Sequence, residues 1–150
     1  MTTFESVKII YRVENRISEF ITHQTVLTLA TVNETIPYCA SCFYSFIPTL
    51  NYLVIKSDAT SNHITEAINN PSIAAAILPD KLEIGKIRGI QLTGKFIIPE
   101  NEQLTAAKKS YYKKYPFAIA IPGDLWIIEL EYIKFTDNTL GFGKKLIWNK

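Results

Sequence analysis

The chain has 150 residues, 47% of them hydrophobic and 20% charged, with a net charge of +2. That length fits one domain over residues 1–150 with a sizeable core, and so small a charge, with dispersed lysines, argues against nucleic-acid binding. Two cysteines exclude a disulfide-built scaffold, and no apolar run reaches the ~18 residues of a membrane span. The start, Met1-Thr2-Thr3-Phe4-Glu5, lacks the pattern of a secretory leader, so a cytoplasmic protein is the expectation.

Phe4, Val7, Ile10, Tyr11, Ile17, Phe20 and Ile21 fall mostly three or four apart, which predicts an amphipathic helix over about residues 4–22. Thr25 to Val32 is β-branched and nearly continuous in apolar character. It reads as a strand buried on both faces, or with one face in an interface. After the break Asn33-Glu34-Thr35, Tyr38 to Phe46 forms a second strand of aromatic and small residues. A turn at Pro48–Asn51 leads to a third strand, Tyr52 to Lys56, completing an antiparallel meander. Ile64 to Asn69 reads as a short helix that must stop before Asn70-Pro71. Ser72 to Leu78 is a strand by its length and its flanking prolines. Gly89 to Ile98 alternates as a strand, with Gly94 marking a bulge or a close approach. Glu100 to Lys114 is a helix whose buried stripe is Leu104, Ala107, Tyr111 and Tyr115, and Pro116 ends it. Leu125 to Phe135 is the clearest strand, Asp137-Asn138 a turn, and the tail from Leu140 to Trp148 is glycine-punctuated and aromatic. Six or so short antiparallel strands with three helices at the edges predict a mainly β barrel or closed sheet.

The chemistry concentrates between the third strand and the short helix. Ser57, Thr60, Ser61, Asn62 and His63 place three hydroxyls, an amide and an imidazole within seven positions. A helix N-terminus adds unpaired N–H groups and the positive end of its dipole, so the stretch can seat a phosphate. The same residue types also cap helices for the backbone's own sake, and both readings stand at this point. Cys39 and Cys42 are three apart on a strand and therefore face opposite ways, which argues against a shared metal or a redox pair. His23 and His63 are the only histidines, too few for a structural zinc site, and no metal site is expected. No nucleophile elbow, dinucleotide fingerprint or P-loop is present. A chain so poor in acid–base candidates suits chemistry carried by a bound cofactor. The small and aromatic residues from Cys39 to Tyr44 would let a planar ring lie against the main chain.

Several segments, in their order, carry a family resemblance. They are Thr28-Leu29-Ala30-Thr31, Pro37-Tyr38-Cys39-Ala40-Ser41, Tyr52 to Ser57, Ser61-Asn62-His63-Ile64, Asn70-Pro71 and Gly89 to Gly94. In this the chain resembles the FMN-binding split-barrel proteins related to pyridoxamine 5′-phosphate oxidase. The tail from Gly141 to Trp148 resembles the YhbP-like (UPF0306) subgroup. The resemblance implies a six-stranded antiparallel split barrel and a homodimer with FMN at the subunit interface. By position, Ser57, Ser61, Asn62 and His63 match the residues that hold the FMN phosphate. The main chain of Ala40, Ser41, Cys42 and Phe43 matches the strand along the flavin ring, Gln91 and Thr93 lie on a neighbouring strand, and Trp148, Phe142 or Trp126 could cover the ring. The implied function is a flavin-dependent oxidoreductase acting on a small molecule; the alternative is a non-catalytic carrier or sensor of flavin, haem or deazaflavin. Asn62-His63 stands where the family commonly has Arg-Lys or Lys. The end, Ile147-Trp148-Asn149-Lys150, lacks the oxidase's Arg-x-His-x-Arg-like signature, so pyridoxamine phosphate oxidation is not expected.

Overall fold

A computed structural model describes residues 11–141 and 144–150. Its elements run α1 (Asn15–His23), β1 (Val26–Asn33), β2 (Ile36–Ile47), β3 (Tyr52–Ser57), α2 (Asn62–Asn69), β4 (Ser72–Ile77), β5 (Arg88–Ile97), α3 (Glu102–Lys114), β6 (Asp124–Asp137) and β7 (Lys145–Asn149). Short 3₁₀ turns at Pro116–Ala120 and Asn138–Leu140 precede and follow β6.

All strand pairings are antiparallel, in the order β3-β2-β1-β4-β5-β6-β7, and β3 also pairs β6. Six strands thus close into a ring. The long β6 makes the closure possible. Its first half, Asp124 to Glu129, pairs β3, and on the same edge Tyr132 to Thr136 pairs β7. The edge changes hands where Leu130 N–H reaches the Asn51 carbonyl at 2.9 Å and Lys150 N–H reaches the Glu131 carbonyl at 3.0 Å.

Period-two alternation fills the ring. Leu27 and Leu29 of β1, Ile73, Ala75 and Ile77 of β4, and Ile90 and Leu92 of β5 point inward and are buried. α2 closes the opening beside β2 and β1 with Ile64, which is fully buried, a burial worth about 1.5–3 kcal/mol. A second, smaller core lies outside the ring, where Ala107 and Tyr111 of α3, with Tyr115, pack on Val54, Leu125 and Ile127.

The helix predicted over 4–22 is α1, Asn15–His23; residues 4–10 lie outside the described residues, and residues 11–14 are not helical. Glu14 sets the start: its carboxylate accepts the Arg16 N–H at 3.1 Å and places a negative charge at the positive end of the helix dipole. The tail, expected only to be glycine-punctuated, pairs as β7, a seventh strand. Gly94 sits at a register shift in β5, and a Cβ there would lie 2.5 Å from the Glu129 carbonyl oxygen. Bulge and close approach, offered as alternatives, are both present.

Candidate functional site

β2 pairs β3 only from Tyr44 to Ile47, while β1 runs beside it as far as Ile36. The β2 edge from Ile36 to Phe43 that faces away from β1 therefore has no strand beside it among the described residues. α2 begins next to this open edge, because β3 ends at Ser57 and the chain turns through Asp58–Ser61 into the helix.

The turn is held by its own side chains. The Asp58 carboxylate accepts the Thr60 N–H at 2.7 Å and the Thr60 hydroxyl at 2.6 Å, which keeps its acid below the usual range. Ser61 N–H and Ser61 Oγ both donate to the Asp58 carbonyl, at 3.1 and 2.6 Å. Ser61 is the N-cap residue of α2, yet its side chain makes no capping bond, and no acidic residue stands in the first turn. The amides opening α2 are thus left without a side-chain cap, in a place that suits an anion.

His63 turns back onto β3, with Nε2 2.7 Å from Ser57 Oγ. Its imidazole is partly buried, which lowers its pKa and favours the neutral form. Ser57 is fixed from the other side, where Trp126 Nε1–H donates to its carbonyl at 3.0 Å. Cys42 lies two residues before Tyr44, and Ser57 two residues after its partner Ile55, so by strand alternation both side chains fall on the inner face at the end of the β2–β3 pairing. Burial pushes the Cys42 thiol up to about 11. Ser57 and His63 thus join the end of β3 to the mouth of α2, and Cys42 is buried in the barrel core.

Of the residues expected at the site, the structure brings together Ser57, Ser61, His63 and the Ala40–Phe43 strand. Cys42 is buried, whereas Ser41 and Phe43 face outward and are exposed. Phe43 meets the Tyr115 ring edge-on with centroids 5.9 Å apart. Asn62 turns toward α2's own flank, where Nδ2 donates to Glu66 Oε1 at 3.2 Å, and Thr31 holds the other Glu66 oxygen at 2.6 Å. Gln91 lies on the outer face on the rung Ser41–Thr28–Ala76–Gln91, three strand spacings or about 14 Å from Ser41. Trp148 pairs with Ile133 and is buried in the barrel core, as is Trp126, which stacks on Phe96 at 5.5 Å. Phe142 lies outside the described residues. Cys39 is exposed and Cys42 buried, the opposite facing that strand geometry required, and both are free thiols. Among the described residues no cluster of metal-ligating side chains occurs.

Two features escaped the sequence reading. That Cys42 and Ser57 fall on the inner face at one end of the β2–β3 pairing is long-range, and only an antiparallel register fixed at Tyr44↔Ile55 would have revealed it. Lys56, beside the turn, looks like a ready cation for an anion seat. Its ammonium is instead taken up by the carbonyls of Ala118 and Ile121, at 2.7 and 2.6 Å, and by the Tyr112 hydroxyl at 3.1 Å.

The chain is 34% identical over 150 residues, covering all of both chains, to a UPF0306 protein of Photorhabdus laumondii. It is 35% identical over 132 residues to the UPF0306 protein YhbP of Salmonella paratyphi A, covering 88% of this chain and 90% of that one. No family model matches. Among solved structures, a heme binding protein from Mycobacterium smegmatis superposes with TM-score 0.75 at 17% identity, over 93% of this chain and 60% of that one. A FAD-binding protein from Mesorhizobium loti gives 0.67 at 14% identity, over 85% and 96% of the two chains. A general stress protein 26 relative from Clostridium acetobutylicum, described as of the pyridoxinephosphate oxidase family, gives 0.62 at 16% identity, over 89% and 92%. At such identities these likenesses establish the fold: a split barrel built mainly of β-strands with helices at its edges.

Proposed function

This chain belongs to the UPF0306 (YhbP-like) family, and we propose that it is an FMN-binding protein that works as a flavin-dependent oxidoreductase on a small molecule. The observation that carries the reading is the meeting of the open β2 edge with the uncapped N-terminus of α2. A flavin mononucleotide needs both at once: main-chain groups along a flat ring and donors for a phosphate at its far end. The donor set suits the phosphate, with the Ser57 hydroxyl, the first-turn amides of α2 and the His63 imidazole close together in the chain, and with the Ser61 hydroxyl once it turns from the Asp58 carbonyl. The main chain of Ala40 to Phe43 would lie along the ring. Bound FMN would supply the electron transfer; the protein's own residues orient it and exclude water.

A homodimer completes this reading. On the outer face, the rungs Ser41–Thr28–Ala76 and Cys39–Ala30–Ala74 are small residues flanked by exposed Val26, Phe43 and Leu78. A flat, exposed, weakly polar sheet face of this kind is suited to burial against a second copy. Such a partner could bring Gln91 to a site that its own chain does not let it reach.

The second reading is a carrier or sensor without turnover. It is favoured by the scarcity of proton-transfer groups near the turn, where His63 is engaged by Ser57 and the Cys42 thiol of the adjoining strand is held protonated by burial. The superposable proteins named for heme and FAD support a cofactor of either kind. Titration with FMN tests the primary reading: saturable quenching of flavin fluorescence is expected, and no binding after reconstitution would refute it. Reduction of bound flavin by NADH or NADPH separates the oxidoreductase from the carrier.

A further inference from the structure

We propose that the trough between the end of β2 and α3 is a second binding site, for an organic anion with an apolar body and a single carboxylate or sulfonate head. It shares no residue with the turn at 57–63 and does not depend on the flavin reading.

The trough encloses about 580 Å³, within the roughly 300–1,000 Å³ that small-molecule sites occupy. Phe46, Ile47 and Pro48 form one wall and Ala106 of α3 the other. The space exists because of which residues α3 sets beside its buried stripe. Ala107, Tyr111 and Tyr115 pack inward at four-residue spacing, while the adjoining row is Ala106 and Ser110. Larger side chains at those two positions would fill the trough. Its base is rigid, since the buried Ser45 hydroxyl is paired with Ser110 at 2.8 Å and ties β2 to α3.

The charge is one-sided. Lys109 and Lys113 stand four apart on the rim of the trough, both exposed, and among the described residues neither forms an ion pair. Like charges at that spacing repel, and a bound anion would relieve the repulsion. Lys114 also borders the trough, but its ammonium donates to the Gln24 carbonyl at 2.5 Å and lies 4.6 Å from the Tyr44 ring centre. No carboxylate lines this cavity. Three other cavities of the described residues carry Glu19 and Asp137, Asp80, and Glu34 and Glu66 respectively. Apolar walls with two unpaired ammonium groups at the mouth select a molecule whose one end is greasy and whose other end is negative.

The test uses 8-anilinonaphthalene-1-sulfonate as the probe, on the full chain, with decanoate and decanol as competitors. Saturable, blue-shifted fluorescence at one probe per chain is expected, displaced by decanoate and at least about tenfold less well by decanol. Lys109→Glu with Lys113→Glu, on an exposed helix face, should weaken the probe about tenfold or more, and Ala106→Trp should abolish its binding. His63→Ala should leave it unchanged, so that failure here and failure of flavin binding are read separately. The proposal is overturned by absent or non-saturable binding, or by equal competition from the alcohol. It is overturned too if the double glutamate variant binds as the parent does, which would leave the lysines serving only the helix dipole.

Discussion

Ser57 and His63 face one another with Oγ and Nε2 2.7 Å apart, and either atom can donate. While the imidazole is neutral it can accept the Ser57 proton, and that hydroxyl is then turned away from any anion. Once protonated, the imidazole donates to Ser57 and the hydroxyl hydrogen is released toward the ligand.

This makes phosphate affinity pH-dependent, with a definite sign. Burial lowers the pKa of His63 in the free protein, and a bound phosphate raises it by charge attraction. Binding therefore takes up a proton, and FMN should bind more tightly as the pH falls from the bound-state pKa to the free one. The FMN phosphate itself titrates near pH ~6, so the ratio of parent to His63→Ala affinity isolates the histidine. That ratio should grow as pH falls, and riboflavin should show no such trend. A flat ratio from isothermal titration across this range would remove His63 from the phosphate seat.

Side-chain truncation distinguishes the phosphate end from the ring end. Ser61→Ala and His63→Ala should each weaken FMN by roughly ten- to a hundredfold, the worth of a lost hydrogen bond to a charged group, and weaken riboflavin much less. Equal losses for the two ligands in a fluorescence titration would mean that neither residue touches phosphate.

Thiol labelling reads the two faces of β2. Cys42 is buried with its pKa raised to about 11, and Cys39 is exposed. Near pH 8 one thiol of the native protein should react quickly with an aromatic disulfide reagent, and the second only on unfolding. Two fast thiols would contradict the inward placement of Cys42.

The Gly94 position tests the ring closure. An added methyl would sit 2.5 Å from the Glu129 carbonyl oxygen, a backbone atom that cannot swing aside. Gly94→Ala should lower stability by about 1–3 kcal/mol in urea unfolding. An unchanged midpoint would mean that the β5–β6 bulge is looser than the register indicates.

The proposed dimer rests on the outer sheet face. Ala76→Arg places a charge among its small residues without touching the core. Sedimentation should show the parent as a dimer and the variant as a monomer, with FMN binding lost together with the dimer. FMN binding retained by a monomer would place the site within one chain.

The sequence by itself determined the elements, because each is a local pattern. Composition, run length and flanking turns marked β1 to β6, with alternation used only for β5, Asn70-Pro71 ended α2, and the odd spacing of Cys39 and Cys42 sent them to opposite faces. It also singled out 57–63, since helix-start chemistry is local, and the order of its segments pointed to the family. The tertiary structure alone decided what those residues meet. Only the β2–β3 register puts Cys42 and Ser57 on one face at the end of their pairing, and only the folded turn shows that Asn62 serves Glu66 and that Lys56 is tied to the carbonyls after α3. β7 went unseen for the same reason: its pairing with β6 depends on β3 leaving that edge at Asn51, an event distant in the chain. Local sequence fixes dihedral preference and facing, whereas the partners of a side chain are set by contacts between segments far apart along the chain.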